Sequence, residues 1–213
     1  MPFGVDEAGK GPVLGSMFAA SVVADPGQLP GEIADSKTLT PERREELADR
    51  LREDPAVSIG LAEVPVARID DPTTDMNELT VEAHARALEA VDVAGESGTV
   101  DAADVNADRF GRRVAGQVDA DLTIRAEHRA DEHHPLVSAA SVVAKVTRDD
   151  HIAALGERYD PPIGSGYPGD ERTRHFLEEY VEQHGELPPC ARRSWQTSAD
   201  VLAAAAQSDL GAF

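Results

Sequence analysis

Phe3-Gly4-Val5-Asp6-Glu7-Ala8-Gly9-Lys10-Gly11-Pro12 is a short, mostly apolar run that stops on two adjacent carboxylates and breaks into a glycine-rich turn. An apolar run of this length, bounded by a turn, reads as a buried strand. Working outward, Val13–Ala24 is a second mainly apolar run, closed by the turn residues Asp25-Pro26-Gly27. Val57–Val64 alternates loosely and predicts a third strand. The three predict an antiparallel meander with a helix inserted before the third. That helix has Thr40 as its N-cap, Pro41 at the first helical position, and Leu47 and Leu51 four apart on one face.

Further along, Met76–Val93 predicts an amphipathic helix that ends near Gly95. Thr99-Val100-Asp101 and Leu122–Ala126 predict short strands, with a helix over Ala107–Val118 between them. Pro135–Leu155 predicts a long helix, Glu171–His184 another closed by Gly185, and Val201–Ala206 a last alanine-rich turn or helix. A Pro/Gly cluster over Asp160–Gly169 separates the main body from this helical C-terminal part. Strands first, then helices alternating with single strands, make an α/β layered domain.

Composition narrows the setting. The chain has 213 residues, 41% of them hydrophobic, which suffices for a sizeable core without cross-links. Its one cysteine, Cys190, excludes an internal disulfide and reads as a packing residue. The longest apolar stretches, Met17–Ala24 and Val201–Ala206, fall short of the roughly 18 residues of a membrane span. The first residues lack a basic region followed by an apolar run, so no signal peptide and a cytoplasmic location are expected.

A net charge of -20 ordinarily argues against nucleic acid as a partner, because phosphate affinity comes from Lys and Arg. Here the acid is dispersed, and of 20 basic residues only Lys10, Lys37 and Lys145 are lysines. That pattern predicts a surface adapted to molar salt, where the Debye length is about 3 Å and self-repulsion is screened.

Acidic residues stand at three strand ends: Asp6-Glu7, Asp101, and Asp131 a few residues past Leu122–Ala126. Acids so placed can converge at one edge of an α/β sheet. Converging carboxylates repel unless a cation or a shared proton neutralises them, and hard cations such as Mg²⁺ prefer oxygen ligands. With 40 acidic residues in the chain, spacing alone leaves a metal site open, and leaves Asp104 and Asp108 as alternatives to Asp101.

Seven motifs, in order, resemble ribonuclease HII of the archaeal branch. They are Gly4–Pro12, Asp35-Ser36-Lys37-Thr38-Leu39, Val100–Asn106, Glu127-His128-Arg129-Ala130-Asp131, Val137–Lys145, Gly164-Ser165-Gly166-Tyr167-Pro168 and Arg192-Arg193-Ser194-Trp195. The resemblance spans roughly residues 3 to 197, and with the lysine-poor composition it points to a halophilic source. All three lysines fall inside these motifs, as expected if each does something a planar guanidinium cannot.

The resemblance implies a ribonuclease H-like layered fold, with a mixed five-stranded sheet flanked by helices and a small helical C-terminal part. A catalytic domain is expected over 1–160, a substrate-facing part over 161–206 and a tail over 207–213. It implies four catalytic, metal-holding carboxylates, Asp6, Glu7, Asp101 and Asp131, around Mg²⁺ or Mn²⁺. The implied reaction is hydrolysis of RNA in RNA–DNA hybrids and cutting 5′ of ribonucleotides embedded in DNA, in replication and repair.

The family's turn against the ribose 2′-hydroxyl would be Gly9-Lys10-Gly11, with Lys10 in place of the usual arginine, and Tyr167 would contact the ribo–deoxyribo junction. Lys37, Ser138, Ser141 and Lys145 are expected phosphate contacts, with Arg192 and Arg193 in the nucleic-acid-facing C-terminal part. Lys10, Lys37, Lys145, Arg192 and Arg193 would together form a local positive strip, while His128 and His133 read as structural or surface residues and Trp195 as core or interface.

The tail residues Gln207, Leu210 and Phe213 resemble a sliding-clamp-binding box. A monomer with no membrane partner is expected. Two rivals share these features: a two-metal DNA nuclease of the same fold, and a clamp-associated binding module without turnover.

Overall fold

The computed structural model describes residues 1–33 and 39–211, from residue 208 onward as backbone alone. Five strands form one sheet: β1 Phe3–Ala8, β2 Met17–Val23, β3 Ser58–Val64, β4 Ser97–Asp101 and β5 Thr123–Glu127. The helices are α1 Pro41–Glu53, α2 Val66–Ile69, α3 Met76–Glu89, α4 Ala107–Ala115, α5 Pro135–Gly156, α6 Glu171–His184 and α7 Gln196–Gly211. The sheet order is β3-β2-β1-β4-β5. β1, β2 and β3 are the antiparallel meander, while β4 and β5 run parallel to β1. The expected mixed five-stranded α/β fold is therefore present.

Both faces of the sheet are covered, which is why β2 carries no exposed residue. On one face α5 and α1 bury Leu47, Leu51, Val142 and Val143 against Ala20 and Val22. On the other, α3 and α4 bury Val81, Leu88, Phe110 and Val114 against Phe3, Val5 and Val100. The first turn of α5 lies directly on β1. A Cβ at Gly4 would stand 2.3 Å from the Leu136 carbonyl carbon, so only glycine admits the helix so close.

Local signals explain most boundaries. Thr40 Oγ1 accepts the Arg43 N–H, and Pro41 occupies the first turn, where its missing N–H costs nothing. Asp75 caps α3 by accepting the Asn77 and Glu78 N–H groups. Gly185, at φ +73°, ends α6 in the left-handed region.

Three differences stand out. α3 stops at Glu89 and not Val93, whose side chain is apolar because it enters the core beneath β4. α4 stops at Ala115, short of Val118. The last helix begins at Gln196 and runs to Gly211, well beyond Val201–Ala206, because its alanine-rich sequence carries almost no apolar period to mark its ends.

The helices α6 and α7 share a cluster with Val13, Leu14, Ile152 and Ile163. Residues 13–15, between β1 and β2, are gripped by backbone bonds from two later loops. Val13 N–H donates to the Gly166 carbonyl, Gly15 N–H to that of Cys190, and Arg192 N–H to that of Val13. Cys190 is buried in this cluster as a packing residue, and burial pushes its thiol pKa up.

Candidate active site

Strand register assembles the acids. Val5 pairs with Val100 in the parallel β1–β4 ladder, so Asp6 and Asp101 are the next residues of neighbouring strands, at their C-terminal ends. Asp101 pairs in turn with Glu127. The chain leaves β5 through Arg129, a left-handed residue at φ +56°, into a short 3-10 turn over Ala130–Glu132 that carries Asp131. The Ala130 N–H donates to Asp101 Oδ1 at 2.6 Å, fixing that turn to the end of β4.

Successive residues of β1 point to opposite faces. Asp6 follows Gly4 toward α5, where Ser141 hydrogen-bonds it, and its Oδ1 also accepts the Glu7 N–H at 2.8 Å. Glu7 turns toward α3, where its Oε2 lies 2.8 Å from Nε2 of the fully buried His84. Burial, then the charges of Glu7 and Asp101, push the Asp6 carboxyl well above the usual carboxylate range, against the Ser141 bond. Asp101 is also raised, by burial and then by Glu7 and Asp131, while the Ala130 N–H opposes.

This donor set fits a hard divalent cation: it is all oxygen, and its mutual repulsion is what such a cation relieves. Among the described residues no three His, Cys, Asp or Glu side chains are already gathered tightly enough to enclose an ion. The rotamers of Asp6, Glu7 and Asp101 follow their bonds to Ser141, His84 and Ala130. Asp104 belongs elsewhere: it is buried under the Arg109 guanidinium, with contacts of 2.6 and 3.1 Å. Asp108 lies in the first turn of α4.

Beside the acids lies the turn Gly9-Lys10-Gly11, with Gly9 at φ +91°. The Lys10 ammonium donates to the Ala103 carbonyl at 2.9 Å and to Asn77 Oδ1 at 3.3 Å, tying the turn to the loop after β4 and to the start of α3. Tyr167 is 44% exposed, and its ring edge would be 3.9 Å from a Cβ at Gly11. The Arg148 guanidinium sits 4.8 Å from the Tyr167 ring centroid and donates to the Ser165 carbonyl.

Four expectations need correction. Ser138 is buried and donates to the Ile33 carbonyl at 2.6 Å, which removes it from any phosphate. Ser141 is buried between the Lys145 ammonium at 2.8 Å and Asp6, and so serves the carboxylate. Arg192 is 0% exposed and donates inward to backbone carbonyls, because loop 190–195 threads under the turn and does not lie over it. The expected positive strip therefore loses Arg192, and the Lys10 charge is engaged within the protein. Arg193 remains exposed, and Lys145 stands half-buried near the acids. Lys37, with residues 35–38 of its motif, lies outside the described residues, as do the side chains of Leu210 and Phe213, while Gln207 is exposed.

The sequence reading missed His84 and Arg148, both buried, each reaching the site from a helix. Their signal was a charged or polar residue on an otherwise apolar helix face, which is ambiguous without the partner. His128 Nδ1 lies 3.2 Å from the Ala102 carbonyl, and the His133 backbone N–H donates to the Ala130 carbonyl.

A family model described as ribonuclease HII matches residues 3–198. A ribonuclease HII of Halobacterium salinarum is 61% identical over 211 residues, covering 99% of each chain. The ribonuclease H2 of Pyrococcus horikoshii superposes with a TM-score of 0.88 at 38% identity, over 96% of this chain and 98% of that one. A ribonuclease HII of Archaeoglobus fulgidus, solved in complex with PCNA, superposes with a TM-score of 0.83 at 36% identity, over 94% and 96%.

Proposed function

The chain belongs to the ribonuclease HII family of endoribonucleases, and from that premise we propose that it cuts RNA–DNA hybrids, and DNA duplexes 5′ of an embedded ribonucleotide, at the carboxylate cluster. The observation that carries this reading is the meeting of Asp6 and Asp101 at adjacent strand ends, beside the Gly9–Gly11 turn and Tyr167. In it, Asp6, Glu7, Asp101 and Asp131 hold divalent cations, magnesium or manganese. Such cations supply Lewis acidity for attack of water on the phosphate and neutralise charge on the departing 3′ oxygen. The products are a 3′-hydroxyl and a 5′-phosphate.

The chain's own residues do the positioning. Ala130 N–H and Ser141 orient the carboxylates of Asp101 and Asp6, and His84 orients Glu7. Glycines at 9 and 11 allow close backbone approach to the sugar, where the 2′-hydroxyl separates RNA from DNA. Tyr167, held by Arg148, offers an exposed ring to the following sugar. Lys145, Arg193 and Lys37 would contact phosphates. The surface is adapted to molar salt, the protein acts as a cytoplasmic monomer, and the tail over Gln207–Phe213 engages a sliding clamp. Among the described residues no helix is long and apolar enough to cross a membrane.

Cleavage of a DNA duplex carrying one ribonucleotide, with Mg²⁺ or Mn²⁺ in molar KCl, tests the reading against Asp101→Asn and an all-DNA duplex. Cutting 5′ of the ribonucleotide by the native protein alone is expected. Cutting of the all-DNA duplex would favour the general nuclease, and no cutting of any hybrid would favour the clamp-binding module.

A further inference from the structure

Three consecutive carbonyls of the turn are pulled to one side. Arg192 Nη2 donates to the Gly9 carbonyl at 2.6 Å and Nη1 to that of Lys10 at 3.1 Å, with Nε on Gly15 at 2.9 Å. Trp195 Nε1 donates to the Gly11 carbonyl at 3.1 Å, and its ring centroid lies 4.8 Å from the Arg192 guanidinium carbon. Burial lowers the Arg192 pKa to about 10, so the fork stays charged at neutral pH. Each carbonyl takes its bond from a different nitrogen of the planar guanidinium fork, whereas the three donors of a lysine all radiate from one nitrogen.

A trans peptide points its carbonyl and its N–H in opposite directions. With the Gly9 and Lys10 carbonyls held by Arg192, the N–H groups of Lys10 and Gly11 point away from that guanidinium. We propose that Arg192 and Trp195 are positioning residues that set ribonucleotide selectivity, by fixing the direction in which the turn presents these two N–H donors to the sugar. This rests on the reading that the turn meets the ribose 2′-hydroxyl. It gives the C-terminal part a task distinct from gripping phosphate.

The test compares native protein, Arg192→Lys and Trp195→Phe in molar KCl with Mg²⁺. Two quantities are read: kcat/KM on a duplex with one ribonucleotide, and the Ki of the matched all-DNA duplex as competitor. Circular dichroism and Tm verify folding. Arg192→Lys is expected to lower kcat/KM about a hundredfold, the scale of an ångström-sized misplacement. Trp195→Phe, which keeps the aromatic platform and loses one donor, is expected to lower it severalfold. Ki is expected to hold in both.

Unchanged kcat/KM in the folded variants, or kcat/KM and Ki weakening in proportion, would overturn the inference. If Arg192→Lys does not fold, Trp195→Phe decides by the same comparison. A native protein without preference for the ribonucleotide duplex would instead overturn the function reading, and is seen before any variant is made.

Discussion

Replacing Asp6 by asparagine is expected to stabilise the protein in EDTA while abolishing cleavage. Asp6 is 6% exposed, and burial together with Glu7 and Asp101 disfavours its charged form. Asparagine has the same shape and can still accept the Glu7 N–H through Oδ1, now at 2.8 Å, so the substitution removes charge without opening a cavity. Relief of such functional strain is worth about 1–2 kcal/mol. For a chain of this size that raises Tm by about 2–8 °C.

The gain depends on pH in a definite sense. A carboxyl whose folded pKa is raised binds its proton more tightly when folded, so native stability falls as pH rises from the ordinary value of 3.8 through the raised one. The advantage of Asp6→Asn is therefore largest above the raised pKa and closes as pH falls toward 3.8. Thermal unfolding of both proteins in molar KCl and EDTA, at a series of pH values from the ordinary 3.8 upward, measures it. A Tm of the variant at or below that of native protein across the whole series would refute the account of Asp6 as a strained, repelled carboxylate.

Gly4→Ala should destabilise the fold by about 3 kcal/mol, because the added carbon would meet the backbone of α5 at 2.3 Å; denaturant titration checks this. Asp170→Ala should cost about 1 kcal/mol at neutral pH, since Asp170 caps α6 through the Arg172 N–H and also accepts the Ser165 N–H. Those N–H bonds, that of Ser165 foremost, lower its pKa to about 2, so the difference from native protein should vanish as pH falls from 3.8 through about 2. Transfer from molar KCl to dilute buffer should lower Tm, because 40 acidic residues against 20 basic ones then repel across a Debye length grown from about 3 to about 30 Å; a salt-independent Tm would contradict the halophilic reading.

The first three strands were legible because β1 and β2 are short, mostly apolar runs and β3 alternates, while β4 and β5 carried only one or two apolar residues each. Caps were legible too: Thr40, Pro41 and Gly185 act through bonds or dihedrals set within a few residues of themselves. Helix ends without such punctuation were not, as at Val93 and along the alanine-rich α7.

Asp6, Glu7, Asp101 and Asp131 could be proposed as the site's acids from motif order alone, but why Asp6 and not Asp104 is the strained acid could not. Asp104 has a charged fork five residues away, at Arg109, while Asp6 meets no cation beside it in sequence, only Glu7, with Asp101 and Ser141 brought up by β4 and α5. The sequence by itself determined the order of most elements and offered the acids and the glycine turn as candidates, since propensity, punctuation and motif order are local properties of the chain. Only the tertiary structure decided which way the basic residues face. Arg192 and Arg193 are neighbours of identical chemistry, yet one is buried beneath the turn and the other is exposed, because loop 190–195 is held by Val13, Gly15 and Asp70, more than a hundred residues earlier in the chain.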